Sequence, residues 1–213
     1  MTVRKILVVD EHAIVRKGVT LILKGSLGIG VICEEASCVK EAEQKIASVK
    51  YDMVLLDIYV SGGNGLESLK KLHNQQPKLP ILILSMFPED SHGIRALTLG
   101  AVGYLTKKST SEELIMAVER VLSGGRYVSP SLAERLAAHL CKDSEALPHE
   151  RLSDREFQVL HMIGGGQTPT QIACALLISV KTAKAYRSKV LQKMELNNSA
   201  ELMKYVLKNN IIT

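Results

Sequence analysis

The sequence predicts an α/β fold over residues 1–125, a doubly wound parallel sheet, followed by an all-α unit over residues 151–213. Two observations support this prediction, and a third, the distribution of charge, distinguishes the last part from the first. Short, continuous apolar runs alternate with helical patterns in the first part, which is typical of strands buried on both faces of a parallel sheet. The last part has four helix-start signals and no strand pattern. Its net charge is +5, against +1 for residues 1–125.

Five strands and five helices are predicted in the first part. The strands are expected at 6–9, 31–35, 53–56, 81–84 and 103–106, and the helices at about 12–24, 38–49, 64–76, 90–99 and 110–123. Thr110 and Glu113 form a capping-box pattern at the start of the fifth helix. Five consecutive βα units predict right-handed crossovers, and the flavodoxin-like strand order 2-1-3-4-5 fits them best.

Polar side chains end four of these apolar runs. They are Asp10 with Glu11, then Asp57, Ser85 and Lys107. Because ligands bind beyond the carboxyl ends of parallel strands, three carboxylates, a hydroxyl and an ammonium are expected at one rim. Carboxylates clustered without Cys or His attract a hard divalent cation, and Mg²⁺ takes one or two of them and keeps waters. An aspartate beside such an ion can attack a phosphoryl group, whose oxygens the lysine and the hydroxyl can hold.

This ordered set of residues resembles the receiver domain of two-component response regulators, over about residues 1–125. The resemblance implies that Asp57 accepts a phosphoryl group from a histidine kinase. It also implies that Asp10, Glu11 and Asp57, with the backbone carbonyl of Tyr59, hold Mg²⁺. Ser85 and Lys107 would then bind the phosphoryl group.

Other positions of the first part refine the resemblance. Tyr104 stands at the place of the aromatic switch on the fifth strand. Ser61 and Lys108 stand where prolines are frequent in the family, which affects loop geometry more than chemistry. Tyr59 and Phe87 stand two residues after the acceptor and the hydroxyl residue. Their rings either shield the phosphoryl group from water or line the surface where the kinase docks.

Residues 126–150 are interpreted as a linker with one short helix, capped by Ser129 and with Pro130 at its first position. Helix starts in the last part are indicated by two capping boxes and two further caps. These signals are Ser153 with Glu156, Thr168 with Gln171, Ser179, and Asn198 with Glu201. A turn of only two residues, 177–178, separates the second helix from the third, which fits a helix-turn-helix.

The third helix of the last part has two contrasting faces. The expected buried residues are Ala183, Tyr186, Val190 and Met194. The expected DNA-facing residues are Lys181, Lys184 and Ser188, with Arg187 and Lys189 at the edges. Such a polar, basic face can enter the DNA major groove, although charge alone leaves a merely solvated helix open.

The last part closely resembles the LuxR-type helix-turn-helix over nearly all of residues 148–213, and Tyr186 stands where histidine is frequent. A receiver followed by this module is the architecture of the NarL/FixJ family. The resemblance implies a cytoplasmic transcriptional regulator rather than an enzyme. Its expected partners are a cognate histidine kinase, double-stranded promoter DNA, a second copy of the chain when phosphorylated, and RNA polymerase.

The same residues are also found in two other kinds of protein. An aspartate-nucleophile phosphatase usually has a second aspartate two positions after the nucleophile, where this chain has Tyr59. A constitutive DNA-binding protein with a non-phosphorylated receiver is disfavoured by the intact acidic, hydroxyl and lysine positions.

The six histidines show no metal-ligand spacing, and they are His12, His73, His92, His139, His149 and His161. The cysteines are expected to be reduced thiols, and no membrane span is expected.

Overall fold

The structure is a computed structural model, which describes residues 3–58, 60, 65–87, 89–141, 147–209 and 211. The chain divides into two compact units, Met1–Leu136 and Ala137–Thr213. The first part of the expected linker, up to Leu136, therefore belongs to the first unit. No helix among the described residues is long and apolar enough to cross a membrane.

The first unit is built on one parallel sheet of five strands. The strands are β1 (Arg4–Val9), β2 (Val31–Ala36), β3 (Met53–Leu56), β4 (Ile81–Ser85) and β5 (Gly103–Thr106). Their order is β2-β1-β3-β4-β5, and every neighbouring pair is parallel. The predicted strand order is confirmed. Four predicted strands lie within one residue of their observed bounds, and β1 begins two residues earlier than predicted.

Helices cover both faces of this sheet. They are α1 (Ala13–Leu27), α2 (Val39–Ser48), α3 (Gly65–Gln75), α4 (Glu89–Thr98) and α5 (Ser111–Leu122), followed by α6 (Pro130–Cys141). Alternate strand residues point to opposite faces. Leu7 and Val54 join the core that α2, α3 and α4 cover, whereas Ile6 and Leu55 join the core under α1 and α5. Burial on both faces explains why the strands are continuously apolar.

The second unit is helical throughout its described residues, apart from turns. Its helices are α7 (Asp154–Gly164), α8 (Pro169–Ala175), α9 (Val180–Lys193) and α10 (Ser199–Lys208). They enclose one core, which includes Phe157, Ile172, Val190 and Leu202. A Cβ on Gly164 would lie 2.6 Å from a methyl carbon of Val206, so the end of α7 approaches α10 too closely for a larger residue.

The predicted helix caps are present. Thr110 with Glu113, Ser153 with Glu156, and Thr168 with Gln171 form complete capping boxes. Ser179 and Asn198 accept hydrogen bonds from the backbone three residues later. Each cap pairs N–H groups that the first turn of a helix leaves without a partner. Among the described residues, Cys33, Cys38 and Cys174 are free thiols.

Candidate phosphoryl-transfer site and DNA-binding surface

Four polar residues meet at the carboxyl edge of the sheet. Asp10 follows β1, Asp57 follows β3, Ser85 ends β4, and Lys107 follows β5. Since these four strands are consecutive neighbours in the sheet, their ends are adjacent. The two aspartates are only 2% and 4% exposed, and Ser85 is fully buried. The sequence-predicted rim is thus assembled in the structure.

The Lys107 ammonium bridges the two buried aspartates. Its Nζ lies 2.5 Å from Asp10 Oδ2 and 2.8 Å from Asp57 Oδ2. Burial by itself would lower the pKa of Lys107, but its hydrogen bonds to the two carboxylates and their charge outweigh burial and raise the pKa. The lysine therefore stays charged, and two carboxylates share one ammonium. The group keeps a negative charge that a further cation can neutralise.

His12 also belongs to this group. Its backbone N–H donates to Asp10 Oδ1 over 2.8 Å, and its ring Nδ1 lies 3.1 Å from the same oxygen. Ligand atoms of Asp10, His12 and Asp57 all lie within 4.8 Å of one another. The histidine beside the two carboxylates is not among the site residues predicted from the sequence. The spacing of histidines along the chain gave no signal, because a single imidazole was brought in by a turn.

The predicted Mg²⁺ ligands are only partly among the described residues. Asp10 and Asp57 lie together, whereas the Glu11 side chain is 42% exposed and its Oε1 lies 4.0 Å from His12 Nε2. The backbone carbonyl of Tyr59 lies outside the described residues, as does Ser61. Buried carboxylate oxygens with excess negative charge suit a hard divalent cation, so the residues present fit such an ion.

Ser85 and Tyr104 are linked through the chain that follows β4. The Phe87 N–H donates to Ser85 Oγ over 3.2 Å, and the Tyr104 hydroxyl donates to the Phe87 carbonyl oxygen over 3.0 Å. Tyr104 is fully buried, and burial raises the pKa of its hydroxyl, which remains a neutral donor. The Phe87 ring packs against His92 with centroids 5.5 Å apart. The hydroxyl residue and the predicted switch tyrosine thus both contact the backbone of Phe87, one at its N–H and the other at its carbonyl oxygen.

In the second unit, α9 presents a polar, basic surface to solvent. Lys181, Lys184, Ser188 and Lys189 are exposed. Ala183, Val190 and Met194 on the opposite side are buried, and Tyr186 is half-buried. The Arg187 guanidinium is half-buried, and its Nε donates to Ser199 Oγ over 2.8 Å. The helix therefore has the two faces that the sequence predicts, with Arg187 partly engaged inside the unit.

Two exposed apolar side chains lie beside this surface. Leu177, in the turn before α9, is 81% exposed, and Val180, the first residue of α9, is 38% exposed. Leu177 also has a positive φ of 52°, which costs a side-chain-bearing residue conformational energy. Neither shows a periodic signal in the sequence, because both lie at a helix boundary.

Both parts of the chain match models of known families. A model described as the response regulator receiver domain matches residues 6–119. A model described as bacterial regulatory proteins of the luxR family matches residues 150–206. The chain belongs to the response regulators of the NarL/FixJ family. The family assignment and the fold class predicted from the sequence are confirmed.

Similar proteins align with nearly the whole of this chain. Response regulator GacA of Pseudomonas aeruginosa is 32% identical and covers 98% of this chain, with 97% of its own length aligned. Oxygen regulatory protein NreC of Staphylococcus epidermidis is 34% identical over 98% of this chain and 99% of its own. A solved structure of RcsB from Salmonella enterica serovar Typhimurium, bound to promoter rprA in the presence of the phosphomimetic BeF₃⁻, is 22% identical. The structural alignment covers 96% of this chain and 98% of the RcsB chain. Its TM-score of 0.65 shows a similar fold.

The response regulator is therefore a DNA-binding transcriptional regulator of a two-component system, with a receiver followed by a LuxR-type module. Its family is one of DNA-binding regulators, which disfavours the phosphatase alternative.

Proposed function

We propose that Asp57 accepts a phosphoryl group from a histidine kinase and that this phosphorylation controls DNA binding by residues 151–213. The observation that carries the proposal is the buried pair of aspartates bridged by the Lys107 ammonium at the ends of neighbouring strands. Two buried carboxylates on one lysine leave a negative charge that a divalent cation can neutralise, and such a cation with an adjacent aspartate suits phosphoryl transfer.

In the proposed reaction, an oxygen of the Asp57 carboxylate forms a bond to phosphorus while the P–N bond to the kinase histidine breaks. The imidazole nitrogen keeps that electron pair and takes up a proton, and the product is an acyl phosphate on Asp57. The Lys107 ammonium and the Ser85 hydroxyl can donate to the phosphoryl oxygens, where negative charge accumulates in the transition state.

A Mg²⁺ ion is proposed as the cofactor, held by Asp10, Asp57, Glu11 and the backbone carbonyl of Tyr59. When bound, the ion neutralises the negative charges of the carboxylates and of the incoming phosphoryl group. The two buried aspartates support this assignment, because carboxylate oxygens are the ligands that Mg²⁺ prefers.

We place α9 in the DNA major groove, with Lys181, Lys184 and Ser188 facing bases and with Arg187 and Lys189 nearer phosphates. The exposure of the basic residues and the net charge of +5 in residues 151–213 support this placement. Arg187 would have to leave Ser199, so its contribution should be smaller than that of the freely exposed lysines.

We propose that residues 1–125 act as the receiver, residues 126–150 as a connecting segment, and residues 151–213 as the DNA-binding unit.

One helix-turn-helix contacts little DNA, so we propose that a homodimer of the phosphorylated protein binds two half-sites. A promoter-bound regulator can contact RNA polymerase, and promoter DNA implies that the protein works in the cytoplasm.

The test is intact mass spectrometry after incubation with acetyl phosphate and Mg²⁺. Wild type should gain one phosphoryl group, and Asp57→Ala should gain none. Asp52→Ala is the matched control, because this carboxylate pairs with Arg4 over 3.0 Å, outside the rim group. A gain that persists in Asp57→Ala would refute the assignment. The absence of any gain in wild type would favour a constitutive DNA-binding protein.

A further inference from the structure

The turn between α8 and α9 holds an exposed leucine in an unfavourable backbone conformation. Leu177 has a φ of 52°, in the left-handed region that residues other than glycine rarely enter. Its side chain is 81% exposed, so packing inside the unit does not offset the cost of this conformation. A glycine would adopt the same φ without a steric penalty. An exposed leucine held in this way points to a role outside the unit.

The backbone on both sides of Leu177 is fixed by neighbouring groups. The Arg155 guanidinium donates to the Leu176 carbonyl oxygen over 2.9 Å. The Ile178 N–H donates to the Ala173 carbonyl oxygen over 3.0 Å. The side chain of Leu176 is buried in the core of the second unit, and that of Ile178 packs against this core. These contacts set the conformation of the turn and leave the leucine side chain between them in solvent.

A second exposed apolar side chain begins α9. Val180 is the first residue of this helix, and it is 38% exposed. Ser179 caps the helix by accepting the Thr182 N–H over 3.0 Å, so the position of the first turn is set locally. Leu177 and Val180 lie on either side of this cap, and together they are called the apolar patch.

The surroundings of the apolar patch are basic. Lys181 and Lys184 follow within the first two turns of α9, and both are exposed. Residues 151–213 carry a net charge of +5, which complements DNA phosphates and favours DNA over an apolar protein surface as the occupant. In a helix-turn-helix, the first residues of the second helix contact base edges. The apolar patch is therefore placed to meet bases when α9 enters the major groove.

The major groove offers one apolar group for such a patch. Thymine exposes its C5-methyl group there, whereas the other distinguishing groups of the four bases donate or accept hydrogen bonds. We propose that the apolar patch packs against thymine methyl groups and so selects thymine where the first turn of α9 meets the DNA. This inference rests on the proposed binding of α9 in the major groove, and it names the base that this end of the helix recognises.

Replacing thymine with uracil in the DNA tests this contact, because it removes the methyl group and keeps every hydrogen-bonding group. The full-length protein, phosphorylated with acetyl phosphate and Mg²⁺, first selects a fragment from the source genome. The fragment is then remade with uracil at one thymine at a time. Wild type should bind at least one of these fragments about fourfold more weakly, the loss expected when one methyl-sized contact is removed.

Variants of the apolar patch assign this loss to its two side chains. In the double variant Leu177→Gly with Val180→Ala, the same uracil should no longer weaken binding. Val180→Ile keeps an apolar side chain and should keep the uracil effect. Val3→Ala makes the same change at a valine that is 51% exposed in the first unit, and it should bind both DNAs as wild type does.

The stability of Leu177→Gly separates a binding role from a structural one. Glycine accommodates the positive φ, so this variant should unfold at no lower urea concentration than wild type, measured by hydrogen exchange of a peptide from α8. Its affinity for the selected DNA should nevertheless fall. A residue that served only the fold would show the opposite result.

Three results would overturn this inference and leave the proposed function standing. They are a specifically bound fragment in which no thymine is sensitive to uracil, a uracil effect that persists undiminished in the double variant, and a lower unfolding midpoint for Leu177→Gly. Failure of the phosphorylated wild type to select any specific fragment would overturn the proposed function and this inference with it.

Discussion

Replacing Lys107 with methionine tests the charge arrangement of the rim most sharply. Methionine keeps an unbranched side chain of similar length and removes the ammonium. The Lys107 side chain is only 7% exposed, and its Nζ lies 2.5 and 2.8 Å from two carboxylates that are themselves buried. The variant therefore leaves two neighbouring aspartates without their shared cation, and we expect a less stable first unit.

The size of the loss follows from these distances. At an effective dielectric constant of about 20, each contact is worth about 6 kcal/mol of Coulomb attraction before desolvation is counted. Desolvation offsets much of this attraction, and breaking a buried ion pair typically costs about 3–5 kcal/mol. One aspartate can take up a proton in the variant, which limits the cost to the lower end, about 3 kcal/mol. With a urea m-value of about 2 kcal/mol per molar, the midpoint should fall by about 1.5 M.

The assay is urea unfolding in EDTA. Unfolding is monitored by hydrogen exchange of peptides from β1 and β3, because the chain has no Trp to report on this unit. Lys108→Met, an exposed neighbour, is the control and should change stability by less than about 0.5 kcal/mol. Mg²⁺ at about 100 times its dissociation constant stabilises a binding protein by about 2.7 kcal/mol, so it should restore most of the loss. An unchanged midpoint for Lys107→Met in EDTA would refute the charge argument.

Three further predictions concern the second unit and the phosphorylated state. Glu156→Gln keeps the capping box but removes the charge that pairs with Lys193 over 2.7 Å, and we expect a loss of about 1 kcal/mol at neutral pH because the lysine is half-exposed. The pKa of Glu156 is lowered in the fold, since burial is outweighed by the hydrogen bonds from Lys193 and Ser153. The difference in unfolding free energy between wild type and Glu156→Gln should therefore have its full value above about pH 4.3. It should vanish as the pH falls through the lower folded-state pKa of Glu156. A difference that grows in acid would contradict this assignment. Lys184→Ala should weaken specific DNA binding by about 1–3 kcal/mol in a competition assay, whereas Lys204→Ala, which removes an exposed charge on α10, should not. Phe87→Ala should speed loss of the phosphoryl group if its ring shields the site, and an unchanged or slower rate, measured by mass against time, would leave kinase docking as its role.

Much of the fold was predictable because burial on both faces leaves a direct mark on the sequence. A strand such as Met53–Leu56 must be apolar at every position, and its end is fixed by the first polar residue, Asp57. The rim followed from the same logic, since parallel strands bring their carboxyl ends to one edge. The caps were predictable because they depend on residues only three positions apart.

The contacts that the sequence did not reveal depend on turns and on long-range packing. His12 reaches Asp10 through a turn, and no periodic pattern predicts where a single ring will point. The attachment of α6 to α4 joins Ser129 to a residue 40 positions away and depends on the missing side chain of Gly93. The sequence therefore predicts a linker with one short helix over residues 126–150, because nothing in the sequence of this segment indicates that its first part packs on the first unit.

The measurement that tests the central claim is DNA affinity with and without phosphorylation of the full-length protein. A DNA fragment selected from the source genome by the protein itself is titrated at fixed salt, before and after treatment with acetyl phosphate and Mg²⁺. We expect phosphorylation to tighten specific binding of wild type about tenfold, within the usual range of coupling between sites, and to leave Asp57→Ala unchanged. Equal affinity of phosphorylated and unphosphorylated wild type, or tightening that persists in Asp57→Ala, would contradict control of this DNA-binding unit by Asp57.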